Sequence, residues 1–421
     1  AWFANSHLLV HSSEKPALYR ALAAGEIAAA PPQPGAPQGD GAFGILEGYT
    51  SGILPDGNQR RCLSLRADCS LESAMVFALD SRLNRHKRSG LLASNLLDFV
   101  YFNSGMCRGA RNDPQHGAFG VIGWGDIAPA WLVANYGDDN ARAMLATAVA
   151  SAALQTTRWD ERLMRALLAN LRTTGKLGFR GDRIDMPALD KNGWRPYFEG
   201  EPVSYSPHFE SYLWACYLWA YRQTGFQPFL DRARTAISMT MKVYPAQWRW
   251  QDNLERAHML LCLAWLVRVE DTPEHREWLN RVAGDLIACQ QPSGAIHERL
   301  GPPHAGHYRT PQSNAEYGTG ETPLVQQNGD PVSDQLYTTG FALLGFHEAV
   351  GATGDLKLKR AGDELAAYLC RIQTRSRKFP HLSGTWFRAF DDRRWEAWAS
   401  SADAGWGAWS IESGWGQAWT A

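Results

Sequence analysis

This sequence has no charge excess of either sign, no long apolar run and few cysteines, and each shortage excludes something. Lys and Arg number 42 against 43 Asp and Glu, for a net charge of -1. That balance offers no basic field to nucleic acid or to an anionic membrane. No stretch of about 18 apolar residues occurs, so no membrane-spanning helix is expected. The seven cysteines (62, 69, 107, 216, 262, 289 and 370) are odd in number, sparse and without ligand spacing. Several sit in apolar helical stretches, where Cys behaves as a small hydrophobe; neither a disulfide scaffold nor a metal centre is expected. H-E-x-x-H, paired C-x-x-C, strand-linked G-x-G-x-x-G and G-x-S-x-G are absent, which argues against zinc peptidase, dinucleotide and serine-hydrolase chemistry and leaves no cofactor to expect. No charged-apolar-small leader precedes the first residue, Ala1. A processed or excised form is expected, with a periplasmic or secreted setting favoured over a cytoplasmic one.

What is abundant is tryptophan. There are 18, and seven of them fall between Trp386 and Trp419. An indole N–H needs a partner wherever it is buried. Trp124 and Trp406 lie in Gly-Trp-Gly loops with no helix face to hide them. Flat apolar faces of this kind stack on pyranose rings.

A helical module recurs along the chain. Its clearest copy spans Tyr205–Tyr244: Ser206-Pro207 opens an aromatic helix apolar nearly all round, Thr224-Gly225 stops it, and a helix with one apolar stripe follows. The first must be buried and the second half covered, so stacked pairs share a core that no single pair could build. Periodicity and caps predict helices near 69–82, 90–102, 127–136, 138–156, 159–173, 207–223, 227–242, 253–269, 274–290, 334–350, 357–373 and 406–420. Twelve helices suit an all-α ring of six hairpins. Residues 1–42 read as an N-terminal arm with a Pro/Gly-rich connector, and 43–421 as the ring. Trp2 and Phe3, if exposed, would dock a sister subunit. The Gly- and Pro-rich segments 176–204 and 292–333 are expected to cross one face and shape a pocket.

In such a ring the inner helices all begin at one mouth. Carboxylates stand at those beginnings: Asp68 and Glu72, Asp126, Glu210, Asp252 and Glu255, Asp334, and Asp403. Each also has a structural reading, since Asp and Glu at a helix start cap it or oppose its dipole; Asp252 with Glu255 matches a capping box. A converging pair would suit glycoside hydrolysis, with one carboxylic acid protonating the leaving oxygen and one carboxylate activating water or attacking carbon. Arg66, Arg180, Arg183, Arg299, Arg388, His208, His297, His304 and His307 lie in the same segments. Guanidinium forks there would suit a substrate bearing a carboxylate.

The segments RADCSLESA, GWGD, YSPHFESYLWACYLWAY, ERAHMLLCLAWLVRVEDTPEHREWL, PVSDQLYTTGFALLGFHEA and FDDRRWEAWASSADAGWGAWSIESGWGQAW resemble the (α/α) toroid carbohydrate-active enzymes. Among these the resemblance is to exo-acting hydrolases that remove uronic acids, the β-glucuronidase type of family 154. It implies a toroid, a pocket active site, an acidic-glycan substrate and a paired-carboxylate mechanism without cofactor. On this reading Glu210 and Asp334 are the acid/base pair, with Asp126 and Asp403 in reserve. Arg66, Arg180 and His208 hold the substrate carboxylate, with Tyr205 and Arg388 beside them, and Trp124 and Trp406 stack on the sugar. Two rival readings keep the fold. One is an unsaturated-uronyl hydrolase or lyase, with Tyr205, His208 or Tyr317 as a lyase base. The other is a ring that binds glycans without turnover.

Overall fold

The computed structural model describes residues 1–33, 35–305, 324–399 and 406–421. Ahead of the ring stand α1 (Trp2–Asn5) and α2 (Lys15–Ala23). The ring is then built by α3 (Ala67–Asn84), α4 (Lys87–Asp98), α6 (Gly137–Leu154), α7 (Asp160–Arg172), α10 (Pro207–Thr224), α11 (Gln227–Lys242), α12 (Asn253–Val269), α13 (Pro273–Ile287), α14 (Thr339–Thr353) and α15 (Leu356–Ile372). Short helices α5 (Pro129–Val133), α8 (Met186–Asn192) and α9 (Arg195–Glu199) lie in connections. Among the described residues no helix is long and apolar enough to cross a membrane.

Local rules account for the hairpins. Pro207 occupies the first turn of α10, and Gly225 ends it at φ 69°, its N–H donating to Tyr221 O. α11 buries Phe229, Leu230, Ala233, Ile237 and Met241, one stripe at helical spacing. Asp252 caps α12 by accepting from Glu255 N at 2.9 Å. Helices α3, α6, α10, α12 and α14 pack side by side as the inner wall, and α4, α7, α11, α13 and α15 each cover the inner helix before them.

The sixth inner position is not a helix. Residues 413–420 run in turns between α14 and α3, where Thr420 lies against Gly340 and Gly414 lies against Cys69 and Glu72. The predicted helix over 406–420 fails because Gly407, Gly414 and Gly416 weaken it. Gly414 also has no room for a Cβ, which would stand 2.5 Å from Glu72 Oε2. The helix expected over 127–136 shrinks to α5, because the chain there enters β4 (Ala134–Tyr136), paired with β5 (Arg183–Asp185).

Small antiparallel sheets precede the inner segments. Strands β1 (Ala28–Ala29), β3 (Gln59–Cys62), β2 (Gly48–Ile53) and β8 (Ile411–Glu412) form one sheet in that spatial order, with Gly48 opposite Glu412. Strand β6 (Val332–Asp334) pairs with β7 (Ala389–Asp391). The N-terminal residues are no appended arm. Leu8, Leu9, Val10, Leu18 and Leu22 belong to the main core, and Tyr49 Oη donates to Ser6 O at 2.5 Å. Trp2 and Phe3 are not a docking surface: both are buried, and Trp2 Nε1 donates to His381 O at 2.8 Å.

Candidate active site

Residues four apart share a helix face, and the inner wall uses this to fill the axis in two levels. His208, Tyr337 and Trp415 meet ring to ring in the upper level; Tyr212, His258, Phe341 and Trp419 form the lower. In the lower level Tyr212 meets His258 and Phe341 ring to ring, at centroid separations of 5.4 and 5.3 Å, and Trp419 at 6.2 Å. This packing closes the axis one turn below the mouth.

The α3–α6 side of the mouth is a buried ion network. Arg66 donates to Glu47 (2.7 Å), Asp68 (2.7 Å), Asp139 (2.9 Å) and Glu412 (3.4 Å). Arg142 donates to Glu72 (3.0 Å), Asp138 (3.0 Å), Asp68 (2.8 Å) and Asp139. Trp415 Nε1 donates to Asp68 Oδ2 at 2.6 Å, and the Arg142 guanidinium lies 3.4 Å from the Trp415 ring centre. Six carboxyls thus surround two guanidiniums. Burial alone would raise Asp68, but Arg66 and Arg142 overturn it and hold Asp68 well below the usual range. Burial pushes Glu72 up to about 7 and raises Asp138, Asp139 and Glu412 as well. Burial thus favours the protonated form of each of these acids. Asp68, Cys69 and Glu412 bring possible ligand atoms together. Burial holds the Cys69 thiol protonated, and Arg66 already bonds both acids, so the group is a poor fit for a metal.

The opposite side is built around Glu298, Asp334 and Asp252. Backbone bonds from Asn253 N to Arg299 O (3.2 Å) and from Glu298 N to Val332 O (2.8 Å) seat Glu298 between the start of α12 and β6. Asp334 Oδ1 accepts from Leu336 N (2.7 Å) and Tyr337 N (3.0 Å), and its Oδ2 lies 3.4 Å from Arg388 Nη2. Glu298 Oε1 is buried without a hydrogen-bond partner. Burial, then the charges of Asp334 and Asp252, raise Glu298 well above the usual range; burial lifts Asp252 to about 6. Between the two sides stands His208, ringed by His258 (5.0 Å), Trp250 (5.1 Å), Trp415 (5.6 Å) and Tyr337 (6.0 Å). Burial and His258 lower its pKa well below the usual value, so the imidazole is neutral.

The residues singled out in the sequence are thus partly gathered and partly dispersed. Asp334, His208 and Arg388 are brought together, buried, at the starts of the inner segments: Asp334 Oδ2 lies 3.4 Å from Arg388 Nη2, and the His208 ring lies 6.0 Å from that of Tyr337. Glu210 lies apart: its carboxylate accepts from Arg180 N (3.0 Å) and Gly181 N (2.7 Å), pinning the loop before β5. Arg180 is buried and donates to Thr173 Oγ1 and Asn135 O, and Arg66 is engaged by four acids. Neither fits the expected hold on a substrate carboxylate. Tyr205 packs edge-on against Phe179. Trp124 meets Trp131 and Tyr136 beside Arg66, and Trp406 O accepts from Arg388. Asp126 turns away to Gly105 N at 2.8 Å. Asp403, His307 and Tyr317 lie outside the described residues. The capping reading of Asp252 holds; Glu255 accepts from Trp250 N and Gln251 N. The sequence reading missed Glu298 although it flagged the 292–333 segment around it, and it missed Asp139, Arg142, Tyr337 and Trp415. Asp138-Asp139 at the start of α6 read as ordinary dipole partners, and no local signal placed an Arg on the same inward face.

No family model and no curated protein matches the chain. Solved structures do. Cellobiose 2-epimerase from Spirochaeta thermophila aligns over 97% of this chain and 96% of its own at TM-score 0.57 and 13% identity. The chain is an (α/α)6 toroid. A D-mannose isomerase aligns over 90% of both chains at TM-score 0.56 and 12% identity. An unsaturated glucuronyl hydrolase specific for heparin covers 100% of this chain and 95% of its own, at TM-score 0.53 and 10% identity. At such identities the likeness fixes the toroid's architecture and leaves its chemistry to the residues.

Proposed function

We propose that this toroid is an exo-acting glycoside hydrolase. The observation that carries the reading is the pairing of Glu298 with Asp334. One acid is raised by burial and repulsion and has a bare oxygen; its neighbour is anchored by two amides beside a guanidinium. Environments that separate two carboxyls in this way suit an acid and its partner. Glu298, protonated, delivers its proton to the glycosidic oxygen; Asp334 activates water or attacks the anomeric carbon. His208, Trp250, Tyr337 and Trp415 offer apolar faces to the sugar. The plugged axis supports action at a chain end, since a blind mouth admits a terminus rather than a through-running polymer. Carbohydrate enzymes on the same fold, an epimerase, an isomerase and a glucuronyl hydrolase among them, are consistent with a sugar substrate.

The sugar itself is the finer question. A terminal uronic acid, implied by the family 154 resemblance, needs a cation not already taken up by acids. Arg66 is enclosed, Arg180 is buried in the wall, and Arg388 shares Asp334 and sits over the Tyr337 ring. Among the described residues the mouth carries more acids than guanidiniums, which favours an uncharged terminal sugar. Release of nitrophenol from aryl β-glucosides and related neutral glycosides, measured beside the aryl β-glucuronide, separates the two. Glu298→Gln should lower kcat by about 10³-fold or more with the fold intact. Wild-type rates in Glu298→Gln and Asp334→Asn would remove the assignment. Turnover of the glucuronide alone would restore the uronic acid.

A further inference from the structure

A cavity of about 630 Å³ lies between α2 and the segments 99–108 and 126–132. None of the mouth residues named above lines it. Its floor is Asp126, 4% exposed, with Oδ1 held by Gly105 N at 2.8 Å. Its walls include Tyr19 and Phe43, and Lys15 Nζ stands 4.1 Å from the Phe43 ring centre and 5.1 Å from that of Tyr19. Asn103 and the exposed Arg108 complete the rim.

Two backbone irregularities frame this cavity. The chain over Phe99–Asn103 widens into a single π-helical turn, a rare form frequent at functional sites. Ile127, beside the floor acid, has φ 68°, a conformation that a β-branched residue adopts only under strain. Phe99, Asn103 and Ile127, from these two irregular stretches, all line the cavity. A volume of this size is in the range of small-ligand sites. The polar groups also divide in a specific way. One acceptor sits at the bottom, amide and cationic donors sit at the rim, and two flat rings lie between them. A pyranose unit carrying an anionic group satisfies all three: hydroxyls to Asp126 and Asn103, a ring face to Tyr19, and a carboxylate or sulfate to Lys15 and Arg108.

We infer that this cavity is an accessory site that holds an anionic unit of a glycan chain away from the reacting end. The choice of ligand rests on the glycan-hydrolase reading; the site itself does not. The chain would then be gripped twice, with its neutral end in the mouth and an acidic unit in this cavity.

The test uses the full-length protein and two probes, a hyaluronan hexasaccharide (carboxylate only) and a heparin-derived hexasaccharide (carboxylate and sulfate), with cellohexaose as the neutral control. Titration calorimetry should show binding of at least one anionic probe. In Lys15→Glu/Arg108→Glu that binding should weaken about tenfold or more, and Tyr19→Ala should weaken it as well. Lys15 is half-buried and Arg108 exposed, so a thermal melt of the double variant, expected to match wild type within a few degrees, accompanies the titration. Turnover of a small aryl glycoside, which occupies the mouth alone, should be unchanged. The probe that binds identifies the anion. Equal binding by wild type and the double variant, or no binding of either probe by wild type, overturns the inference. Loss of aryl-glycoside turnover in Glu298→Gln bears on the mouth alone, and its absence would leave this site standing.

Discussion

Replacing Arg142 with methionine removes the cation at the centre of the axial network while nearly keeping its bulk. The side chain is fully buried and donates to Glu72, Asp68, Asp138 and Asp139. Stranding one partner of a buried ion pair costs about 3–5 kcal/mol. Four acids are stranded here, but burial raises Glu72, Asp138 and Asp139, so protonation relieves part of the loss and the single-pair figure is the right scale. At about 2.1 cal/mol/K of unfolding entropy per residue, a 421-residue chain has roughly 0.9 kcal/mol/K, and the loss lowers Tm by about 3–6 °C. Urea unfolding followed by tryptophan fluorescence reads the free energy, and calorimetry reads Tm. The deficit must also depend on pH in one direction. Asp68 is held below its ordinary range by Arg66 and Arg142. Its contribution is therefore complete above about pH 4 and is lost as pH falls further. In the variant the same acids gain from protonation, so the gap narrows toward acid. A loss below about 1 kcal/mol at neutral pH would refute this account, as would a deficit that stays constant down to about pH 3.

Two further outcomes follow from the same burial. Glu72 and Glu210 are raised to about 7, Asp252 to about 6 and Glu255 to about 8, chiefly by desolvation. An acid whose pKa is higher folded than unfolded penalises the fold as pH climbs through that interval, so Tm should rise as pH is lowered from about 8 to about 5; a flat or falling Tm over that range would contradict it. Glu210→Gln places an amide N–H against the amides of Arg180 and Gly181 and should cost about 1–3 kcal/mol in urea unfolding while leaving turnover largely intact. A hundredfold loss of kcat without destabilisation would return Glu210 to the chemistry.

Much of the ring was legible because it rests on local rules. The pairing of an all-round apolar helix with a striped one, and stops such as Gly225 and Gly354, place ten of the helices within a few residues of where they stand. The errors have physical causes. α14 begins at Thr339 rather than near 334 because Asp334 belongs to β6 and its side chain holds the turn that follows. The site was legible only in outline. Helix starts located the mouth, but which way each side chain turned was decided by partners distant in sequence. His208 and Glu210 show this on one helix. At 100° per residue they point nearly opposite ways: His208 faces the axis with Tyr212, while Glu210 faces the 178–181 loop with Trp214, whose Nε1 donates to Gly178 O. Periodicity alone forbids both from serving one pocket. The gathering of Asp139 and Glu412 on Arg66 is different, since it joins residues 73 and 346 positions away and leaves no local trace.

The seam between residues 48 and 412 has a consequence for how the protein comes into being. During synthesis the five hairpins can assemble in order, each on its predecessor, yet the flanks of α3 and α14 stay bare until Trp415 arrives to bridge them. Such late, long-range joining is slow and leaves greasy surface open to wrong partners meanwhile. Until those turns are in place the ring is an open horseshoe, whose α3 and α14 lack the neighbour they share.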